Sequence, residues 1–157
     1  MGNDQKYRVG FEPEIVSAPR VREFHDYWLM VRGDRRFPSK ADIDIAAIPR
    51  LASGLILLKV YDDPLDFEYR IVGDDVASRF GNLKGRRVRE AALVNVTSSA
   101  YENYCIVVRS GRPQFLEGRA NVAYRSGQPC LMSRVHCPLS NDGQQIDHII
   151  SFVAFHR

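Results

Sequence analysis

The sequence lacks the features that mark disulfide-rich, membrane-spanning and strongly polyanion-binding proteins. It has three cysteines in 157 residues and no Cys-x-x-Cys pair, so neither a disulfide framework nor a zinc ribbon is indicated. No stretch approaches the roughly 20 consecutive apolar residues that a membrane-spanning helix requires. The net charge is only +3, with both signs interspersed, so composition does not demand a nucleic-acid partner. We therefore expect a soluble, cytoplasmic protein that binds neither nucleic acid nor a membrane.

The chain is long enough for one domain with an apolar core. Hydrophobic residues make up 45% of its 157 residues, and a chain of this size can bury a core without disulfides or a structural metal. Residues 1–19 carry scattered charge, two prolines and little periodicity, which is typical of a tail or an arm lying on the body. Residues 20–157 are expected to form the domain.

An apolar stripe with helical spacing follows the arm. Val21, Phe24, Trp28 and Val31 recur at steps of three and four residues, and Gly33 ends the pattern. The spacing predicts an amphipathic helix with one buried face. That face, represented by Phe24, Trp28 and Val31, is expected to be an interface, covering either a sheet or a second subunit.

The period then changes from helical to strand-like. Two β-rich runs joined by Asp-Asp-Pro-Leu predict an antiparallel hairpin, and in its second run Phe67, Tyr69 and Ile71 are expected to share one face. Two helical segments follow, the second with a stripe at 101, 104, 105 and 108. Three further runs separated by turn sequences predict a meander. The predicted strands are 55–61, 66–73, 113–124, 130–140 and 145–155, and the predicted helices are 74–81 and 97–111.

This order of elements predicts an α+β fold. Its core would be a five-stranded antiparallel sheet with helices inserted after the second strand, and those helices would cover one sheet face. The extra N-terminal helix, a partner or solvent would cover the other face.

Several motifs resemble one protein family when taken in order. They are His-Asp-Tyr-Trp in the first helix, Ala-Asp-Ile-Asp before Ile-Pro-Arg-Leu, Arg-Ile-Val-Gly with the later Phe-Gly, Gly-Arg-Pro at 111–113, and His-Cys-Pro-Leu-Ser-Asn-Asp-Gly at 136–143. Together they resemble a PAS domain family common in alphaproteobacteria and formerly described as a domain of unknown function. The resemblance covers roughly residues 20–155. One departure is Gly73, which stands where many PAS domains have Asn.

The resemblance implies a cavity between the inserted helices and the sheet. Arg134 or His136 would orient a ligand there, while a filled core without a cavity remains the alternative. The apolar walls would come from Phe67, Tyr69, Ile71, Phe80, Tyr104 and Val108.

No metal or known PAS cofactor is expected. Haem-binding relatives use a His on the long helix, which has none here, and the flavin-photosensor motif of the Asn-Cys-Arg-Phe-Leu type is absent. Asp42 and Asp44 are interpreted as helix caps, not as metal ligands. Cys130 and Cys137 are seven residues apart and would face opposite sides of a strand. A small organic ligand remains open.

The pair His25–Asp26 is not expected to be catalytic, because adjacent helical side chains point about 100 degrees apart.

Taken together, the resemblance and these motifs lead us to expect a non-enzymatic, stand-alone PAS sensor or regulatory module that binds a small ligand, a signalling protein or both, as a homodimer. Two alternatives remain. One is a small hydrolase or isomerase in which His136 or His148 meets an Asp in a pocket, and the other is a pure dimerisation scaffold.

Overall fold

The computed structural model of the protein describes residues 8–90, 100–120 and 130–156. The first residues of the helix predicted over 97–111, and the turn sequence between the strands predicted over 113–124 and 130–140, lie outside these ranges. The helices and strands with described bounds are β1 (Arg8–Gly10), α1 (Pro19–Arg32), β2 (Leu55–Tyr61), β3 (Asp66–Val72), α2 (Asp74–Phe80), α3 (Ala100–Ser110), β4 (Gln114–Ala120), β5 (Cys130–Leu139) and β6 (His148–Phe155).

The strands form one antiparallel sheet in the order β1-β4-β5-β6-β2-β3. The predicted α+β class, hairpin and meander are confirmed. The sheet has one strand more than the five expected, because Arg8–Gly10 of the N-terminal arm pairs with Phe115–Glu117 of β4. The arm is therefore part of the sheet along these three residues.

Helix α1 covers one face of this sheet. It begins at Pro19, whose fixed φ suits a first helical position, and it ends at Gly33, which adopts a positive φ of 59°. Phe24 and Trp28 are buried against the sheet, and the Trp28 indole donates a hydrogen bond to the Pro138 carbonyl at 3.0 Å. Of the two surfaces considered for this stripe, the helix therefore covers the sheet of its own chain.

The sheet separates two apolar layers. The layer under α1, called the α1 face here, includes Phe24, Trp28, Leu55, Phe115, Val135 and Phe152. The opposite layer, called the α3 face, lies under α2 and α3 and includes Leu58, Phe67, Tyr69, Tyr104, Val107 and Ile149. Alternation along each strand assigns successive side chains to the two faces in turn.

A β-bulge interrupts this alternation in β3. Leu57 pairs with Ile71 and the next residue, Leu58, pairs with Tyr69, so Arg70 is an extra residue opposite β2. The expectation that Ile71 shares a face with Phe67 and Tyr69 is therefore wrong. Ile71 lies on the α1 face and is 36% exposed.

Asp42 and Asp44 cap short helical segments, as predicted. Asp42 forms a capping box with Ser39, and Asp44 accepts a hydrogen bond from the Ala46 amide. Helix α2 lies between Gly73 at its N-cap and Gly81 at its C-cap. A Cβ on Gly73 would lie 2.3 Å from the Ser53 carbonyl oxygen, so the backbones approach too closely there for a side chain.

Candidate functional site

A row of polar side chains crosses the centre of the α3 face. Gln114 of β4 is directly opposite His136 of β5, and His136 is directly opposite Ser151 of β6. All three are at most 1% exposed. On the far side of Ser151 the row continues into apolar Ile56 of β2. Three strands thus bring polar groups together inside an apolar layer.

His136 has one ring nitrogen paired and one unpaired. Its Nδ1 lies 2.6 Å from the Ser151 hydroxyl oxygen, while its buried Nε2 has no hydrogen-bond partner among the described residues. Burial lowers the pKa of His136 well below its usual value, and the nearby positive charge of Arg134 lowers it further. The ring is therefore neutral at physiological pH.

Gln114 shows the same pattern. Its side-chain oxygen Oε1 is buried and, within the described ranges, accepts no hydrogen bond. Leaving a buried polar atom unpaired typically costs 1–3 kcal/mol, and such atoms are rare in native interiors. Two of them on directly opposed residues favour an additional group between α3 and the sheet.

Aromatic side chains form the layer above this polar row. The Tyr104 ring of α3 meets the His136 ring edge-to-face at 4.8 Å between centroids. Phe67 contacts Tyr104 and Tyr101 at 5.4 and 5.9 Å between ring centroids. Asn103 of α3 is also buried in this region. The surroundings combine apolar and aromatic walls with a few polar groups, which is the usual composition of a small-molecule site.

The structure brings together seven of the eight residues that the sequence assigned to a pocket. Phe67, Tyr69, Tyr104 and His136 are buried on the α3 face. Phe80, Val108 and Arg134 are half-buried on the same face, where Phe80 and Val108 pack against its core and Arg134 follows the alternation of β5. Ile71 is separated from them by the sheet.

Sequence reasoning missed Gln114 and Ser151, the strand neighbours of His136. Ser151 interrupts the apolar run His-Ile-Ile-Ser-Phe-Val, and Gln114 opens a strand that is otherwise apolar on this face. Both are signals of a buried polar position. Neither shows which residue lies opposite, because strand register joins positions far apart in sequence.

A second buried polar cluster lies on the α1 face, around Glu117 of β4. Its Oε1 accepts hydrogen bonds from the Ser17 amide at 2.9 Å, the Ser17 hydroxyl at 2.6 Å and the Ser133 hydroxyl at 2.6 Å. Its Oε2 pairs with the Arg8 guanidinium at 2.5 Å. Burial raises the pKa of Glu117, but hydrogen bonds from Ser133, Ser17 and Arg8 outweigh burial and lower the pKa to about 2. This carboxylate fastens the N-terminal arm to the sheet.

The contacts of Ser133 do not favour a nucleophile. The Ser133 hydroxyl lies 2.6 Å from both the Glu117 carboxylate and Nε2 of His156. The Ser133 hydroxyl donates to Glu117, and because the pKa of this carboxyl is lowered to about 2, the carboxylate is a weak base for removing the serine proton.

Of the two histidines considered for an enzyme, His148 pairs with an Asp and His136 does not. Nδ1 of His148 pairs with the carboxylate of its chain neighbour Asp147 at 2.6 Å, whereas His136 pairs with a serine. Among the described residues, therefore, the predicted meeting of a His and an Asp inside a pocket does not occur on the α3 face.

His25 is a packed aromatic ring in this structure. Its ring lies 4.9 Å from the Phe115 ring and 6.2 Å from the Trp28 ring, between centroids. Burial lowers the pKa of His25, although Asp26 opposes that shift. His25, in the middle of α1, thus belongs to the packing of the α1 face, whereas the neighbouring Asp26 is exposed.

The described ranges were also compared with the requirements of a pocket, a metal site and a membrane-spanning helix. A groove of about 60 Å³ lies on the α1 face beside Ile71 and Lys40. Within the same ranges, no group of three or more His, Cys, Asp or Glu side chains is arranged to hold a metal. No described helix is long and apolar enough to cross a membrane.

Comparison with known proteins identifies the family. The sequence profile of the PAS domain family matches residues 16–148. The chain belongs to the PAS domain family. PAS domains are typically sensory and regulatory modules, so this fold is that of a sensory module. A search of curated proteins finds no match.

Two solved structures are similar to this PAS domain. An RNA-binding Light-Oxygen-Voltage receptor has 16% sequence identity and a TM-score of 0.50 over 75% of this chain and 35% of the receptor. The chain therefore spans about a third of that receptor. A fungal LOV domain photoreceptor has 17% identity and a TM-score of 0.45 over 75% of this chain and 95% of its own. At such identities the likeness extends to the fold alone.

Proposed function

We propose that this PAS domain is a sensor that binds a small organic molecule between α3 and the sheet and does not catalyse its conversion. One observation carries the proposal. Gln114 and His136, directly opposed in the β4–β5 ladder, each have a buried polar atom without a hydrogen-bond partner among the residues that the structure describes. A core that served only to fill space would be more stable with apolar residues there, since those need no partners. A ligand that pairs with both atoms removes this cost.

The surroundings support the same choice. Tyr104 and Phe67 offer aromatic walls, and His136 offers a neutral polar contact. Arg134 lies two residues from His136 on the same face of β5, so it is the nearest cationic group along that strand. The long helix has no His that could bind haem, and the flavin-photosensor motif is absent from the sequence. The class that we propose is therefore a small organic molecule other than haem or flavin.

A route for the signal runs along β4. Gln114 faces the ligand side, whereas Glu117, three residues later, faces the α1 side and holds the N-terminal arm through Arg8 and Ser17. A ligand that favours one position of β4 would change how firmly the arm and α1 pack on the sheet. A signalling protein that contacts the arm could then detect the ligand.

The partner would use a surface other than the apolar stripe of α1. Phe24 and Trp28 are buried within the chain, so copies of the protein in a homodimer would also meet elsewhere. A pure dimerisation scaffold is the second candidate. It predicts the same fold but a protein that gains nothing from small molecules.

Native mass spectrometry tests the proposal directly. The wild-type protein, either as purified or after incubation with the small-molecule fraction of a cell extract, is expected to carry an adduct of fixed mass that denaturation releases. His136→Leu and Gln114→Leu are expected to lose the adduct. His148→Leu is the matched control, because His148 pairs with Asp147 away from the α3 face.

The controls separate binding from folding. Circular dichroism must show that each variant has the wild-type secondary structure, and the two variants of the α3 face make the test independent of either one failing to fold. A wild-type protein without any adduct under both conditions would contradict the sensor and favour the scaffold. An adduct retained by both α3-face variants would place the ligand elsewhere.

A further inference from the structure

We propose that the ligand is an uncharged molecule in which a hydrogen-bond acceptor stands beside a donor, as in a primary carboxamide or a lactam. This inference rests on the proposed function and names the chemical class that Gln114 and His136 would recognise. Three features of the α3 face lead to it: the direction of the Ser151 hydrogen bond, the register of the two strands and the neutrality of the His136 ring.

The Ser151 hydrogen bond determines what the unpaired nitrogen of His136 offers. Ser151 is fully buried, and the acceptor available to its hydroxyl proton within the described ranges is Nδ1 of His136 at 2.6 Å. If Nδ1 carried the proton instead, the serine hydroxyl would be left as a buried donor without an acceptor, which costs free energy. The satisfied arrangement places the proton on Nε2. His136 therefore offers a donor, while Gln114 Oε1 offers an acceptor.

The strand register places this donor and acceptor next to each other. Gln114 and His136 are directly opposed in the β4–β5 ladder, and the Cβ atoms of such pairs are about 5 Å apart. A carboxamide or lactam presents its carbonyl oxygen and its N–H from one edge. Its oxygen can accept from His136 while its N–H donates to Gln114, so one small group satisfies both atoms.

The acceptor oxygen of Gln114 and the neutral ring of His136 disfavour an anion at that position. A carboxylate has no proton to give to Gln114 Oε1, and its charge would face the lone pairs of that oxygen. The ring of His136 is neutral and cannot offset the loss of hydration of a buried anion. Arg134, half-buried on the same face, is the group that a carboxylate would have to reach instead.

Two isosteric trios of compounds test the class. Benzamide, benzoate and acetophenone form an aromatic trio, and isobutyramide, isobutyrate and methyl isopropyl ketone form a smaller aliphatic one. In titrations of the ¹⁵N-labelled protein followed by NMR, each amide is expected to bind about tenfold more tightly than its acid, the ratio that corresponds to about one hydrogen bond. The imidazole nitrogens of His136 are expected to show the proton on Nε2.

Variants assign the effect to the two atoms. Gln114→Met removes the acceptor at similar size and is expected to lower amide affinity severalfold, while ketone affinity stays unchanged because a ketone has no N–H. Gln144→Met, at an exposed position, is the matched control and is expected to change neither.

Several results would overturn the inference. One is equal affinity of the protein for an acid and its amide, and another is binding of the acid with a shift of the Arg134 resonances. The others are an amide affinity that is unchanged in Gln114→Met and a proton on Nδ1 of His136. If none of the six compounds binds but native mass spectrometry finds a bound molecule, the class is wrong and the sensor function stands. If both experiments find nothing, the proposed function itself fails.

Discussion

The polar clusters around Glu117 and around His136, on opposite faces of the sheet, differ in how completely their hydrogen bonds are satisfied. On the α1 face, Glu117 is surrounded by donors on Arg8, Ser17 and Ser133. On the α3 face, Gln114 and His136 each keep one polar atom without a partner in the described ranges. Glu117 and Gln114 belong to the same strand, so the difference reflects the face and not the element. A satisfied cluster fastens structure together, whereas an unsatisfied one is suited to receive another molecule.

The largest expected effect on the free energy of unfolding comes from a substitution on the α1 face, at Trp28. Trp28→Ala removes a ring that is 1% exposed, together with its hydrogen bond to the Pro138 carbonyl. The free energy of unfolding is therefore expected to fall by about 3–5 kcal/mol. Urea unfolding followed by far-ultraviolet circular dichroism measures it.

The control for Trp28 lies on the same helix. Met30 is 69% exposed, and Met30→Ala is expected to change the free energy of unfolding by less than about 0.5 kcal/mol. A Trp28→Ala protein as stable as wild type would mean that α1 does not hold this face together.

The second effect is an acid dependence that comes from Glu117. Its pKa is about 2 in the folded protein and 4.5 as the ordinary value, so its stabilising contribution is complete above about pH 5 and is lost as the pH falls toward 2. The free energy of unfolding is expected to fall by up to about 3 kcal/mol over that window. Urea midpoints measured at intervals between pH 6 and pH 2.5 follow the loss.

Glu117→Gln isolates this contribution from that of other carboxylates. The variant is expected to be less stable than wild type at pH 6, and the gap is expected to narrow as the pH falls, because both proteins then carry a neutral group at that position. A gap that stays constant with pH would show that the carboxylate charge is not what holds the arm.

The smallest effect is expected at Gln114, despite its complete burial. Gln114→Leu replaces a partly unpaired polar group by an apolar one of similar size, so the free energy of unfolding is expected to change by less than about 1 kcal/mol, in either direction. Denaturant unfolding of the ligand-free protein measures it beside Glu117→Leu, which removes a carboxylate with four described donor contacts from the same strand. If the free energy of unfolding fell equally in the two variants, Gln114 and Glu117 would contribute equally to stability and the difference inferred between the two clusters would be wrong.

The elements of this fold could be predicted where the sequence has a clear period. The stripe through Phe24 and Trp28, the hairpin of β2 and β3, and the helix around Tyr104 were all readable, because burial on one face repeats every 3.6 or every 2 residues. Strand β1 was not readable. Its three residues have no period of their own, and they pair with β4 more than 100 positions later.

The candidate site was predictable in part for a related reason. Phe67, Tyr69, Tyr104 and His136 follow from the face pattern of their elements together with the family resemblance. Ile71 was placed wrongly because a bulge adds one residue to the strand and reverses every later side chain, and nothing in the run Glu-Tyr-Arg-Ile-Val marks it.

The partners of the predicted residues depend on register, which the sequence does not display. His136 could be named as an orienting group, but Gln114 and Ser151 become its neighbours only when β4, β5 and β6 align. Glu117 was missed for the same reason, since its partners come from residues 8, 17 and 133.

The position of Glu117 also determines how this domain can be joined to other proteins. Arg8 and His156 reach the two oxygens of this one carboxylate, at 2.5 and 3.8 Å, so the first and last described parts of the chain lie at one corner of the sheet. Segments that leave the domain at Arg8 and at His156 therefore start close to each other. A short linker between residues 8 and 156 could therefore join them in a circular permutant, with a new start in the exposed turn between β2 and β3.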